Sequence, residues 1–440
     1  MRVVTSAEIG ARITEIRLNA FKSYALATLE LAPLTLLVGS NASGKSNALD
    51  ALALLALLAE ERSVNDLERG DEDVAGLRGG LTSAAPFGSS TVKVGCTVAS
   101  GDARYLLDVE FDVQNEPEIA SESLVLEELG QRPKTLYHAR RTARGSGISD
   151  VEVYSGRAPK GFRFLSSRLS VVQAITKIPS DSVARTLVVE GCQLVVDALK
   201  GVFLLDPVPG QMRGYPRIGT PPNRHGSSTS AMLWELQKDA AAWEQINELV
   251  AGLVGSRLSD LDFVQASYPG ETRAVDVMVA LREKFRARER VVPASVMSDG
   301  TLRYLAITAT LLSLGAQSAS SPDLQPPRTL VIEEIENGLY PTQAAAVLEL
   351  LRREARRTGV TLLVTTHSPA LLDALSADDH RGVLICQRSD EGVSTLRRLT
   401  EHPNYISIAA GGRVGTAMAG GKFEERREPR RFSDLLEAEQ

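Results

Sequence analysis

One stretch of this 440-residue sequence fits a phosphate-binding pattern. Its residues, Gly39-Ser40-Asn41-Ala42-Ser43-Gly44-Lys45-Ser46, match G-x-x-x-x-G-K-[ST] and are followed by Asn47. In such loops, free backbone N–H groups and the positive end of a helix converge on phosphate oxygens. Lys45 would reach the outer phosphates, and the Ser46 hydroxyl would hold Mg²⁺. The stretch therefore predicts a nucleotide site.

Two adjacent carboxylates follow an apolar run later in the chain. Residues 328–334 are typical of a buried strand that ends in Glu333 and Glu334. Phosphoryl transfer needs a metal ion to bridge the terminal phosphates and a group to position the attacking water. Because neighbouring strand residues point to opposite sides, we assign Glu333 to the metal and Glu334 to the water.

Two further motifs carry possible phosphate contacts. His367 is the last residue of a predicted strand, residues 361–367, at the strand end where α/β sheets gather their ligands, and we expect it to contact the terminal phosphate. The motif Ser298-Asp299-Gly300-Thr301 opens a predicted helix and makes a second anion site by the same helix-end argument. One triphosphate tail does not need two such sites in one chain. The sequence therefore predicts that two copies of the protein sandwich the nucleotide.

These residues need a sheet and flanking helices to position them. The predicted strands are 12–18, 34–38, 275–281, 328–334, 361–367, 382–386 and 392–399, with an antiparallel β meander between 91 and 153. The predicted helices are 47–61, 169–205, 231–253, 302–314 and 342–358, and residues 19–24 are predicted as a turn. The expected fold is therefore α/β, a nucleotide-binding core with a mixed or parallel sheet, a β meander and a helical insert.

The amino-acid composition is that of an ordinary folded protein. Hydrophobic residues make up 43% of the chain and charged residues 24%, as in ordinary folded proteins. Three widely spaced cysteines indicate neither a disulfide framework nor a metal site and suit a reducing compartment. The first eight residues lack the pattern of a secretory leader, and the longest apolar run, 48–59, is too short to span a bilayer. We therefore expect a cytoplasmic protein without a membrane segment.

Residues 131–168 are basic, although the net charge of the chain is −6. The nine positive side chains stand against only Asp150 and Glu152, and they are Arg132, Lys134, Arg140, Arg141, Arg144, Arg157, Lys160, Arg163 and Arg168. The stretch predicts either a surface that contacts the phosphate backbone of DNA or a solvated face without a partner. The sequence leaves both interpretations open.

Taken in order, the motifs F-K-S-Y, G-S-N-A-S-G-K-S-N, S-D-G-T, I-E-E-I-E-N-G-L-Y-P and T-T-H-S-P resemble those of the ABC-type ATPases of the SMC and RecF group. The likeness is greatest to the standalone "predicted ATPase" branch that also supplies the N-terminal half of OLD-family proteins. The resemblance implies an ABC-type fold with ATP and Mg²⁺ as ligands. It also implies a helical insert, or lid, between the phosphate-binding loop and the S-D-G-T signature.

The resemblance also implies residue roles. Ser298 and Gly300 would contact the γ-phosphate across a dimer, and Glu334 and His367 would be the catalytic glutamate and the switch histidine. Asn337-Gly338-Leu339 would form the D-loop, and Lys22 would lie near the nucleotide. The sequence departs from the group in three places. No glutamine stands in a clear Q-loop context, and Gln131 and Gln173 are the candidates. Glu333 stands where ABC proteins usually have Asp, and S-D-G-T replaces L-S-G-G-Q, which argues against a transporter subunit.

Four segments are expected on this basis. Residues 1–110 would be the N-terminal lobe, 111–290 the meander with the basic and helical insert, 291–400 the C-terminal lobe and 401–440 a tail. The predicted function is an ATP-gated dimer or higher oligomer in DNA metabolism or bacterial anti-phage defence. The alternative is a regulatory ATPase that controls a separate effector protein, a nuclease or a toxin, without binding DNA. The sequence leaves open whether ATP or GTP is preferred.

Overall fold

The computed structural model describes residues 11–69, 77–86, 88–114, 116–156, 158–255, 258–267, 275–285, 288–316, 328–337 and 341–423. The predicted strand pairs and most predicted helices lie within these ranges. Gly338, Leu339, Arg157 and the end of the predicted tail lie outside them. Across the described ranges, every helix falls short of the length and apolar content that a bilayer crossing requires.

The strands are β1 (Arg12–Phe21), β2 (Tyr24–Glu30), β3 (Leu34–Val38), β4 (Thr91–Ser100), β5 (Ala103–Asp112), β6 (Glu118–Glu128), β7 (Lys134–Arg141), β8 (Ile148–Val153), β9 (Lys160–Leu165), β10 (Val202–Leu205), β11 (Leu258–Ala266), β12 (Asp276–Phe285), β13 (Arg288–Pro293), β14 (Thr329–Ile332), β15 (Thr361–Thr366), β16 (Val383–Arg388) and β17 (Ser394–Arg398). The α-helices are α1 (Lys45–Ala59), α2 (Val64–Arg69), α3 (Ser170–Lys177), α4 (Val183–Lys200), α5 (Thr229–Leu236), α6 (Ala240–Val254), α7 (Asp299–Ala316), α8 (Pro341–Thr358), α9 (Pro369–Asp373), α10 (Tyr405–Ala410) and α11 (Val414–Ala419).

A six-stranded sheet forms the core, in the order β10-β14-β15-β3-β16-β17. Its strands run parallel except for β17, which pairs antiparallel with β16. Every residue of β14 and β15 is buried, which explains why their sequences are continuous apolar runs rather than alternating ones. The predicted α/β fold with a mixed, mainly parallel sheet is confirmed.

An eight-stranded antiparallel sheet extends the predicted meander, in the order β2-β1-β4-β5-β6-β7-β8-β9. Its strands alternate buried and exposed residues, as expected when one face packs on a core and the other meets solvent. Helices α1 and α4 pack against it. The two sheets therefore enclose α1, the helix that follows the phosphate-binding loop.

Three predictions of local structure were wrong. Residues 169–205 are not helical throughout, because α4 ends before Gly201 and Val202–Leu205 forms β10 beside β14. The predicted helix 231–253 is broken into α5 and α6, because Asp239 caps the N-terminus of α6 by accepting from Ala241 and Ala242. The predicted turn at 19–24 is shorter, since Phe21 and Tyr24 pair as strand residues and only two residues lie between them.

A third sheet of three strands, β11-β12-β13, was predicted only at β12. Strands β12 and β13 pair antiparallel, with Phe285 opposite Arg288, and both carry charged residues at these ends. Trp234 and Trp243 both pack on Phe263 of this sheet, with ring centroids 5.1 and 5.7 Å away. The two tryptophans and Phe263 therefore pack against one another and hold α5 and α6 to this sheet.

Candidate nucleotide site

Neighbouring strands of the core sheet bring the predicted site residues together. Strands β14, β15 and β3 are adjacent and parallel, with Ile332 paired to Val364 and Thr366 paired to Val38. Glu333, His367 and Gly39 each follow the carboxyl end of one of these strands. Ligands of open α/β sheets bind at this edge. The structure thus places the loop, the two carboxylates and the histidine at one edge of one sheet.

The phosphate-binding loop runs from Gly39 to Lys45, where α1 begins. Ala42 and Gly44 have φ values of 61° and 116°, in the left-handed region that the tight loop requires. A Cβ on Gly44 would lie 2.4 Å from Ser394 Oγ, so only glycine fits there. Asn41, Ala42 and Ser46 are exposed, whereas Gly39, Ser43, Gly44 and Lys45 are buried and Asn47 is half-buried. The loop therefore opens to solvent around Ala42 and Ser46.

Lys45 lies folded along the loop. Its Nζ donates to the carbonyls of Gly39 at 2.7 Å and Ser40 at 2.8 Å. Burial lowers the pKa of Lys45, and the negative charge of Glu334 and Glu336 opposes that change. The carboxylates that follow β14 therefore favour the charged form of the loop lysine.

Glu333 is 7% exposed and is held by two arginines that the sequence analysis did not identify. Arg78 contacts both of its oxygen atoms, at 3.2 and 2.9 Å, and Arg224 Nη2 lies 3.4 Å from Oε1. Burial raises the pKa of Glu333, and Arg78 opposes the rise. Arg78 also pairs with Asp50 on α1 at 2.9 Å, and Asp50 pairs with Lys22 at 2.6 Å. A continuous chain of ion pairs thus runs from Lys22 to Arg224.

The predicted Mg²⁺ ligands are an exposed hydroxyl, Ser46, and a carboxylate, Glu333, both at the carboxyl edge of the sheet. Hydroxyl and carboxylate oxygens are the donors that Mg²⁺ prefers, so these residues fit the ion chemically. Both oxygens of Glu333 are engaged by Arg78 in this structure. Lys22, predicted near the nucleotide, directs its amine to Asp50 and to the carbonyl of Arg78.

Glu334 has a backbone conformation that few residues with side chains adopt. Its φ is 47°, and its N–H donates to Thr365 Oγ1 at 2.9 Å. Backbone strain of this kind is concentrated at functional sites. The side chain is exposed and accepts a hydrogen bond from the amide of Asn337, the described residue of the predicted D-loop. Glu334 is therefore turned away from the protein interior, whereas Glu333 is buried.

His367 is held by Glu336, a carboxylate that the sequence analysis passed over. Glu336 Oε1 lies 2.7 Å from His367 Nδ1 and accepts from the His367 backbone N–H at 2.5 Å. The other oxygen, Oε2, is buried and has no hydrogen-bond partner among the described residues. A carboxylate on Nδ1 fixes the ring orientation and leaves Nε2 as the free ring atom.

The predicted signature lies at the N-terminus of α7, on the surface. Ser298 and Asp299 are exposed, and Ser298 Oγ accepts from the N–H of Thr301 at 3.2 Å while Gly300 lies within the first turn. Arg213 fixes the motif by donating to Asp299 and to the carbonyl of Met297. Within the described part of the chain, no hydrogen bond or ion pair joins these four residues to the phosphate-binding loop.

Three residues of the site, Glu336, Arg78 and Arg224, were not predicted because no sequence motif marks them. Glu336 is the third carboxylate of Glu333-Glu334-Ile335-Glu336. It lies beyond the end of the predicted strand, so the pattern assigned it no role. Arg78 lies in a glycine-rich stretch, Gly76 to Gly80, that reads as an ordinary loop. Arg224 lies between prolines and glycines with no pattern of its own, so only the fold reveals its place beside Glu333.

Comparison with known proteins agrees with the geometry. The sequence matches the family model described as "AAA domain, putative AbiEii toxin, Type IV TA system" over residues 34–144 and 232–373. It is also similar to the DNA replication and repair protein RecF of Gloeobacter violaceus, with 47% identity over 57 residues. That segment is 13% of this chain, and the chain spans 15% of the length of that curated relative.

Solved structures with a similar arrangement include the SMC head domain from Thermotoga maritima, with 14% identity and a TM-score of 0.37 over 88% of this chain and 98% of that one. Another is the Smc head domain with an extended coiled coil from Pyrococcus furiosus, bound to the C-terminal domain of ScpA. It has 12% identity and a TM-score of 0.46 over 91% of this chain and 100% of that one.

The family match covers more than half of the chain and includes the phosphate-binding loop, the signature, both carboxylates and His367. Membership of the SMC and RecF group, predicted from the motifs, is confirmed. The protein belongs to the family described as "AAA domain, putative AbiEii toxin, Type IV TA system", and it is an ABC-type ATPase of the SMC and RecF group.

Proposed function

We propose that this protein binds ATP with Mg²⁺ and hydrolyses its terminal phosphate as an ATP-gated dimer. The observation that carries the proposal is the convergence of the loop, Glu334 and His367 at the carboxyl ends of β3, β14 and β15. A phosphate tail laid on the loop would meet a water-orienting carboxylate and a histidine from the two neighbouring strands. Phosphoryl transfer depends mainly on such positioning and on electrostatic stabilisation.

Each residue has a separate task in this proposal. The loop N–H groups and Lys45 bind the phosphates, and the exposed Glu334 orients the attacking water. His367, fixed by Glu336, contacts the terminal phosphate. Mg²⁺, held by Ser46 and Glu333, neutralises charge on the phosphates when bound. Because Arg78 contacts both oxygens of Glu333 and also pairs with Asp50, metal binding at this carboxylate would be coupled to the ion pairs of α1.

A second copy completes the site. Ser298 is exposed and Gly300 half-buried at a helix N-terminus, and among the described residues neither makes a bond to the loop of its own chain. A helix N-terminus attracts phosphate. We therefore infer that the signature of one protomer closes over the nucleotide of its partner.

The first test separates binding from turnover. Glu334→Gln removes the charge that orients the water but leaves the loop intact, so turnover should fall by at least roughly a hundredfold. The Kd for ATP should stay within about twofold, because binding depends on other residues. Phosphate release and isothermal titration measure the two, with GTP run in parallel. Glu391→Gln, at an exposed turn, is the matched control. Normal turnover by the Glu334 variant would refute the assignment.

The partner of this ATPase is a separate question, and the basic stretch bears on it. Arg141 pairs with Asp112 and Glu118, Arg144 pairs with Asp112, and Lys134 pairs with Glu128. These three of its nine positive side chains are thus paired within the protein, which favours the alternative of a regulatory ATPase. The family description, which names a toxin of a toxin–antitoxin system, points the same way.

Salt dependence distinguishes the two functions. When a protein binds DNA by displacing counterions, the logarithm of its binding constant falls linearly with the logarithm of the salt concentration. Because ion pairs occupy part of the basic stretch, we expect weak binding to a DNA duplex, with a Kd above about 10⁻⁶ M at physiological salt. Fluorescence anisotropy with and without ATP measures it, and Arg140→Ala is the variant to compare. Binding that is tight, steeply salt-dependent and weakened in this variant would restore a direct role in DNA metabolism.

A further inference from the structure

Two consecutive backbone carbonyls of the phosphate-binding loop accept hydrogen bonds from buried side chains that are distant in sequence. Ser394 Oγ donates to the carbonyl of Ser43 at 2.7 Å, and Cys386 Sγ approaches the same oxygen at 3.2 Å. Tyr24 Oη donates to the carbonyl of Gly44 at 3.1 Å and lies 3.1 Å from Cys386 Sγ. Tyr24 and Ser394 are fully buried and Cys386 is 2% exposed. We call these three side chains the loop support.

The hydrogen of the Ser394 hydroxyl is committed to the loop. Ser394 Oγ lies 2.7 Å from Ser23 Oγ, and Asn47 Nδ2 donates to that same Ser23 oxygen at 2.7 Å. A hydroxyl has one hydrogen, and a carbonyl can only accept. The Ser43 carbonyl has no hydrogen to give, so its 2.7 Å contact with Ser394 uses the Ser394 hydrogen. The backbone N–H of Ser394 also donates to the carbonyl of Ser23 at 2.7 Å, which fixes the strand end.

The other two groups also keep their hydrogens. Burial raises the pKa of Tyr24, and the nearby Cys386 raises it further. Burial likewise raises the pKa of Cys386, although its contacts with Tyr24 and Ser43 oppose the change. Both groups are therefore protonated at neutral pH and act as donors. All three members of the loop support present a hydrogen toward a loop carbonyl or toward each other.

The orientation of these carbonyls determines the orientation of the next two N–H groups. The described peptide bonds are all trans. In a trans peptide the C=O and the following N–H point in opposite directions. Since the carbonyls of Ser43 and Gly44 point to the loop support, the N–H groups of Gly44 and Lys45 point away from it. Backbone N–H groups of such loops bind phosphates, so this would be the phosphate side of the loop. Ser46, the next residue, is exposed.

We propose that Ser394 and Tyr24 are positioning residues for phosphate binding, which hold the Gly44 and Lys45 N–H groups toward the nucleotide. The inference rests on the proposed function, because it concerns the same loop. Neither residue touches the phosphates in this account. Without Ser394 the Ser43 carbonyl keeps only the weaker thiol donor, Cys386. Without Tyr24 the Gly44 carbonyl keeps only the N–H of Ala48, at 3.1 Å. Each deletion therefore holds one peptide plane less firmly, which lowers the fraction of loops ready to bind.

The experiment measures binding and turnover in three single variants of the full chain. Ser394→Ala and Tyr24→Phe each delete one oxygen atom, and Thr395→Ala, exposed at the next position of β17, is the matched control. The net value of one hydrogen bond predicts that the Kd of ADP and of AMP-PNP rises about three- to tenfold in both test variants. The kcat at saturating ATP should change less than about twofold, because the chemical step uses other residues. Thr395→Ala should match the wild type.

The outcomes separate this inference from the function on which it rests. Test variants that melt at a lower temperature but bind both nucleotides with wild-type Kd would show a purely structural role and overturn it. A fall in kcat with unchanged Kd would overturn it as well. Failure of the wild-type protein to bind ADP or AMP-PNP would instead refute the proposed function itself.

Discussion

At the residue scale, Glu336 holds His367 through two contacts to one oxygen atom. A histidine that contacts a phosphate needs a fixed ring and a fixed tautomer, and a carboxylate on Nδ1 provides both. Within the described residues the second oxygen of Glu336 is buried without a hydrogen-bond partner, so both contacts with His367 fall on the other oxygen. The position of Glu336 beside His367 is the basis for proposing a role in the site.

Two variants test that role. Glu336→Ala removes both contacts, and kcat should fall by roughly a hundredfold while the Kd for ATP stays within about twofold. Glu336→Gln keeps an oxygen in the same place and should retain most of the turnover. Steady-state kinetics and titration measure both, with the exposed Glu349→Ala as control. Equal activity of the alanine and glutamine variants would contradict the proposal.

At the element scale, the strands and helices with a clear hydrophobic pattern could be predicted from the sequence. Residues 34–38 and 361–366 were recognised as strands because a buried parallel strand is a continuous apolar run. The same rule failed at β10, because four apolar residues directly after a helix cannot be distinguished from its last turn. Gly201, at the C-terminal cap of α4, was the residue that could have indicated the end of the helix. The order of strands depends on pairing between distant segments, so the ion pairs around Glu333 were not predictable from the sequence.

Helix α4 provides a test of how closely the elements pack. A Cβ on Gly191 would lie 2.9 Å from Leu136 Cδ1 and 2.9 Å from Tyr105 Cε1, so the helix touches the antiparallel sheet at this residue. Gly191→Val should destabilise the protein by about 1–3 kcal/mol through overpacking. Thermal unfolding followed by circular dichroism measures the loss. Gln193→Val, exposed on the same helix, should unfold near the wild-type temperature. Equal melting of the two variants would contradict this packing.

At the scale of the whole molecule, the proposed dimer depends on the exposed signature. Ser298→Arg places a bulky side chain at the N-terminus of α7, where the partner's nucleotide would lie. In the Glu334→Gln background, ATP should convert the protein to a dimer, and the added Ser298→Arg should leave it monomeric. Light scattering with and without ATP measures the mass. Binding of ATP by the monomer should persist, because the loop belongs to one chain.

The control for this prediction is Ser407→Arg, at a surface-exposed position on α10. Dimers that form with ATP despite arginine at 298 would show that the signature does not take part in assembly. Full turnover by monomers would refute the two-copy site altogether.

The loop support joins the two ends of the described chain, since Tyr24 lies near one end and Ser394 near the other. Strand β3, which leads into the loop, likewise pairs with β15 and β16 from the far part of the sequence. During translation, a ribosome that has made the first two hundred residues has already released the whole phosphate-binding motif. Its supporting partners have not yet been synthesised, so a nascent chain should acquire affinity for nucleotide only late, once Ser394 has left the exit tunnel.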